Sequence, residues 1–136
     1  MTVIRHAECR RTTTPIGTMT TLASPTQGDT GQVLWRVEMA PGATGPRHAF
    51  DTEQVWTVLD GAATLDLEGT PAVLAAGDTV VLPAGAFRQF VADPERGLTA
   101  MAVAPAGTLA YAPGVEVEPQ CAAPAGGEKL APAWVV

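Results

Sequence analysis

Apolar and polar residues alternate along much of this chain with a period of two. In ATLDLE, Ala63, Leu65 and Leu67 fall on one face and Thr64, Asp66 and Glu68 on the other. That is the pattern of a strand with one buried and one wet face. QVLWRVEM repeats it, with Val33, Trp35, Val37 and Met39 sharing a face, and LTAMAVA predicts a further strand. Gly61, Gly69, Gly77 and Gly85 recur every eight residues in LDGA, LEGT, AGDT and PAGA. Short β-compatible runs punctuated at this spacing predict an all-β sandwich or barrel. Asp60-Gly61, between VWTVL and AATL, predicts a type I′ hairpin. The loop APGATGPR carries two prolines and two glycines, which exclude regular pairing there. No stretch shows a helical period with caps.

The two ends differ from the middle. Residues 1–112 are expected to form one β-barrel domain, with the threonine-rich TTTP region as an extended edge segment or a strand lent to a partner. From residue 113 to 136 alanine, proline and glycine dominate, predicting a tail that wraps the barrel or stays loose. Trp134 is out of place on a loose tail and is expected to dock, on its own barrel or on a second subunit.

Length and charge narrow the function classes. A chain of 136 residues fits one ordinary domain, so function is expected in one pocket. The formal charge of −6 and a single lysine, Lys129, argue against nucleic-acid binding, which needs clustered basic residues. No apolar run approaches the roughly 18 residues that span a bilayer, and MTVIRHAECRR has charges where a signal peptide needs an apolar core. A cytoplasmic protein without membrane contact is the expectation. Cys9 and Cys121 show neither a disulfide framework nor metal-ligand spacing. Ser24, the only serine, lies outside any GxSxG, and there is no Walker loop, dinucleotide fingerprint or HExxH. Cys9 and His6 are close in sequence, which by itself makes no nucleophile and base pair.

Residues 42–92 carry two spaced motifs. The first runs Gly42, five residues, His48-Ala-Phe50, three residues, Gln54, six residues, Gly61. The second runs Gly77, five residues, Pro83-Ala-Gly85, two residues, Arg88, three residues, Ala92. In their glycines, proline and spacing they resemble the two motifs of the cupin superfamily. That resemblance implies a double-stranded β-helix, or jelly-roll barrel, holding a small molecule, and a homodimer built on edge strands. It also implies a metal held by two histidines and a glutamate of the first motif and a histidine of the second. Here those four positions are His48, Phe50, Gln54 and Arg88. Phenylalanine has no lone pair and arginine stays protonated, so two of the four cannot ligate a cation. No metal cofactor is therefore expected, and if a divalent metal binds, its ligands are His48 and Gln54, helped by His6 or a carboxylate.

The same positions suggest other chemistry. Histidine titrates near neutrality, which makes His48 a candidate proton donor and acceptor, or else an inert remnant of a lost metal site. Arg88 is a candidate fork for an oxyanion, the bland alternative being an ion pair with Glu38 or Glu53. Phe50, Trp56 and Phe90 share the inward alternation of His48, Gln54 and Arg88 and are expected to line the pocket, with Met101 and Tyr111 added. Glu53 is expected to face outward unless a bulge turns it. The function expected is binding of a small apolar or aromatic anion, with metal-independent proton transfer of the isomerase, cyclase or lyase type carried by His48 and Arg88. Two alternatives stand beside it: a non-catalytic ligand-binding or sensory cupin, and a metal-dependent oxygenase or isomerase using His48 and Gln54.

Overall fold

The computed structural model describes residues 1–113 and 128–136. The structure is nearly all β, with ten strands among the described residues and only two single-turn 3-10 segments, His6–Glu8 and Ala133–Val135. The strands are β1 (Arg10–Thr14), β2 (Gly17–Ala23), β3 (Gln32–Met39), β4 (Ala49–Phe50) and β5 (Gln54–Leu67), followed by β6 (Thr70–Ala75), β7 (Thr79–Leu82), β8 (Arg88–Ala92), β9 (Leu98–Pro105) and β10 (Ala110–Tyr111). All named ladders are antiparallel. No described helix is long and apolar enough to cross a membrane.

One long strand organises the jelly roll. The first half of β5 pairs with β9 and β7, which joins it to the sheet running through β1, β2 and β3. Its second half pairs with β6 and β8. The crossing occurs at Asp60-Gly61, and this corrects the hairpin expected there: the chain runs straight on, and the register with β9 slips by one residue between Val58 and Asp60. Gly61 takes φ 73°, and a Cβ on it would collide with the carbonyl oxygen of Gly97. The position therefore admits only glycine, for close backbone approach at a bulge rather than for a reversal. The type I′ reversal lies eight residues on, where Glu68 and Gly69 have φ of 49° and 84° and Leu67 pairs with Thr70.

The pairing does not close into a continuous barrel among the described residues, so the expected barrel is an open one. A separate two-stranded ladder, β4 with β10, and the single bridges Thr44↔Val91 and His48↔Arg88 complete one end.

The alternation predicted for β3 is realised: Val33, Trp35, Val37 and Met39 are buried. They meet Ala63 and Leu65 of β5, Phe90 of β8 and the alanines at 100, 102 and 104 of β9 in one core.

Residues 128–136 return to the body of the fold. Leu130 and Ala110 exchange backbone hydrogen bonds of 2.8 and 2.7 Å. The Thr21 hydroxyl donates to the Trp134 carbonyl at 2.7 Å, and the Ser24 hydroxyl donates to the Val136 carbonyl oxygen at 2.8 Å. Val135 is buried in the core. This part of the expected tail is thus a packed wall, and Trp134 docks on its own chain. The rest of the tail, with Cys121, lies outside the described residues.

Candidate functional site

The interior holds a cavity of about 800 Å³, within the usual size for small-molecule sites. Rings dominate its wall: Trp35, Phe50, Trp56, Phe90, Tyr111 and Trp134 all contribute. Trp56 stacks on Phe90 at 4.6 Å between centroids, and Trp35 meets Trp56 edge-on at 6.3 Å. The polar side chains in the wall are Thr14, His48, Tyr111 and Glu128. An apolar chamber with a few polar groups is ordinary binding-site chemistry.

His48 sits on the approach to β4, directly opposite Arg88, and the two residues exchange backbone hydrogen bonds of 3.1 and 2.9 Å. Its Nδ1 lies 2.8 Å from the Pro46 carbonyl oxygen. A carbonyl only accepts, so Nδ1 carries the proton and Nε2 keeps its lone pair in the neutral ring. Burial lowers the His48 pKa from its ordinary value of 6.5; the Pro46 contact opposes this, and the nearby Arg88 charge lowers it further. The ring is therefore a neutral base at neutral pH.

That has a consequence for stability. The unfolded chain takes up a proton at position 48 at a higher pH than the folded one, so the stability contributed by a neutral His48 is complete above pH 6.5 and declines as pH falls through that value. Urea unfolding followed from about pH 7.5 to about pH 5 is expected to lose more stability in the wild type than in His48→Gln. Parallel losses in the two proteins would contradict the assigned shift.

Gln54 and Arg88 face inward and are both 0% exposed, but neither belongs to the cavity wall. This corrects their placement as groups lining the pocket. Arg88 Nη2 donates to Gln54 Oε1 at 2.7 Å, and the Trp56 indole Nε1 donates to the same oxygen at 2.9 Å. Both neighbours are pure donors, so the amide oxygen must face them and the amide nitrogen must point elsewhere. The guanidinium carbon lies 4.6 Å from the centre of the Phe50 ring, a cation–π distance, and Phe50 in turn lies edge-on to His48 at 5.4 Å. No carboxylate of the described residues forms an ion pair with Arg88: Glu38 is paired with Arg36 at 2.9 Å, and Glu53 is exposed. Burial lowers the Arg88 pKa to about 10.

Met101 is also displaced from its expected role. It pairs with Arg36 and Thr57 on the face of β9 opposite the buried Ala100 and Ala102, and does not line the cavity. Sequence reasoning passed over Ile16, Met19, Val37, Met39 and Leu130 as cavity residues. The alternation of β3 marks Val37 and Met39 as inward; nothing local marks Leu130, which arrives from a distant part of the chain. His6 is exposed, with Nε2 at 3.0 Å from Arg11 Nη2, and Cys9 Sγ donates to the Arg5 carbonyl, so these two do not pair.

The four positions that would hold a metal do not fit one. Phe50 offers no donor atom, Gln54 Oε1 already accepts two hydrogen bonds, and the Arg88 cation adjoins it. No group of three or more histidine, cysteine or acidic side chains among the described residues could surround an ion.

Residues 35–103, half of the chain, match the family model described as the cupin domain. The chain belongs to the cupin family. Solved cupin structures are similar in fold. The polyketide cyclase RemF from Streptomyces resistomycificus superposes with a TM-score of 0.69 at 23% identity, covering 79% of this chain and 81% of that one. KdgF from Halomonas sp. gives 0.64 at 23% identity, over 77% of this cupin and 94% of KdgF. Oxalate decarboxylase from Bacillus subtilis gives 0.65 at 15% identity, over 74% of this cupin but 28% of the decarboxylase, and a structure of that enzyme is described by its Mn(II) centers. A search of curated proteins found no match.

Proposed function

We propose that this cupin binds a small apolar or aromatic molecule in its ring-lined cavity and moves a proton on it without a metal. The observation that carries this reading is His48: a ring in the wall of an apolar cavity, its Nδ1 proton committed to Pro46, its Nε2 free, and its pKa lowered so that the base form prevails at neutral pH. Proton removal from carbon next to a carbonyl is the elementary step shared by isomerisations, many cyclisations and eliminations. In that step Nε2 takes the proton, the C–H electron pair forms the carbon–carbon double bond, and the carbonyl π pair moves onto oxygen to give an enolate.

The aromatic wall supports a flat ligand, since Trp and Phe rings supply large apolar contact with little rotamer freedom to lose. The donor set at the usual metal positions supports a reaction that needs no metal.

The flat ketone 2-tetralone, which has exchangeable protons beside its carbonyl, provides the test. Protein dialysed against chelator and shown by elemental analysis to be metal-free is expected to accelerate hydrogen–deuterium exchange at these positions, read by NMR in heavy water. His48→Gln is expected to lower the acceleration by about 10²-fold or more. Exchange no faster than in buffer, exchange unchanged in His48→Gln, or exchange dependent on added metal would defeat the proposal.

A further inference from the structure

Three buried donors of two adjoining side chains have no hydrogen-bond partner among the described residues: Arg88 Nε, Arg88 Nη1 and Gln54 Nε2. They belong to side chains that are 0% exposed and hydrogen-bonded to each other. Such groups are rare in folded proteins, because an unmade bond to a buried cation is costly. The set contains donors alone, since the single acceptor, Gln54 Oε1, is used by Arg88 and Trp56. It therefore suits an oxyanion and repels a cation. One residue, Phe50, both lies against the guanidinium and forms part of the cavity wall.

We propose that Arg88 and Gln54 form a carboxylate subsite covered by Phe50, and that the molecule held in the cavity is an aromatic or apolar carboxylic acid whose charged end displaces this ring. The inference rests on the reading of the cavity as a ligand site and adds the chemical class of the ligand. A carboxylate supplies acceptors for the unpartnered N–H groups and neutralises the buried cation, two gains that an alcohol or an amide provides only in part. A charge brought so close to His48 also offsets the effect of Arg88 on the imidazole, so binding is coupled to the protonation of the base.

Calorimetric titration of 2-naphthoate and its neutral analogue 2-naphthalenemethanol separates the possibilities, with acetate and inorganic phosphate as further probes. The wild type is expected to bind the acid at least about tenfold more tightly than the alcohol, and to bind acetate and phosphate far more weakly than naphthoate. In Arg88→Met the preference for the acid over the alcohol is expected to vanish. Gln54→Glu keeps the side-chain length and places an internal carboxylate against the guanidinium, so it should also abolish the preference; it decides the matter if Arg88→Met does not fold. Equal affinity of the wild type for acid and alcohol, or a preference surviving in either folded variant, overturns the subsite and leaves the cavity reading intact. Acetate or phosphate binding as tightly as naphthoate overturns the assignment to a ligand's own carboxylate. Failure of both aromatic probes to bind overturns the cavity reading and this inference together.

Discussion

Arg88→Met is expected to make the ligand-free protein more stable, by about 1–4 kcal/mol. The guanidinium is fully buried, with one hydrogen bond to Gln54, one cation–π contact to Phe50 and no carboxylate partner among the described residues. Burial lowers its pKa to about 10, so keeping it charged at neutral pH costs stability. The sign follows from linkage. A group whose pKa is lowered on folding regains that stability only as pH rises above its folded value of about 10. At pH 7 the whole cost is present. Methionine keeps an apolar stem in the space without the charge and leaves Gln54 Oε1 its bond from Trp56. Urea unfolding at neutral pH measures the difference. A variant less stable than the wild type would show that the cation is well compensated in the folded protein. The stabilised variant is also the one expected to lose selectivity for a carboxylate, as when a group is retained for function against stability.

The largest loss of stability is expected for Trp35→Ala, about 3–5 kcal/mol. Trp35 is 1% exposed, sits at the centre of β3 and meets Trp56 edge-on. Its ring is both core and cavity wall, so truncation joins a new void to an existing cavity with nothing to collapse into it. Trp35→Phe keeps a ring in place and is expected to lose less than half as much. Unfolding midpoints in urea order the three proteins. Near-equality of Trp35→Ala and Trp35→Phe would mean that the ring edge at Trp56 carries none of the energy. Loss of the larger side chain should also loosen the hold on flat ligands, because Trp56, and through it Phe90, leans on Trp35.

The period-two alternation was enough to assign faces. Once β3 and β5 are strands, Val33, Trp35, Val37 and Met39, and likewise Ala63 and Leu65, must point the same way, because successive side chains on a pleated strand point to opposite sides. The glycine and proline spacing of residues 42–92 was enough to suggest the jelly roll, and with it the inward positions His48, Phe50, Gln54 and Arg88. That two of these cannot hold a metal follows from the chemistry of their side chains alone.

Tertiary structure decided whatever depended on a distant partner. Asp60-Gly61 has the local chemistry of a hairpin, but its backbone passes against the Gly97 carbonyl and continues, because β9 pairs with β5 through the bulge as far as Gly61 and β6 and β8 take over just beyond it. Met101 lies one residue from Ala100 and Ala102 and faces the other way, a difference that hangs on the register with β3 and β5. Alternation says that a side chain points inward; it does not say whether it meets open space or the back of another ring. Phe50 and His48 reach the cavity, while Arg88 and Gln54 are covered, since Phe50 lies over the guanidinium. The docking of residues 128–136 depends on hydroxyls of Thr21 and Ser24, more than 100 residues away in the chain. Face and residue chemistry are local and were written in the sequence, whereas depth, register and closure are set by contacts between segments that meet only in the folded chain.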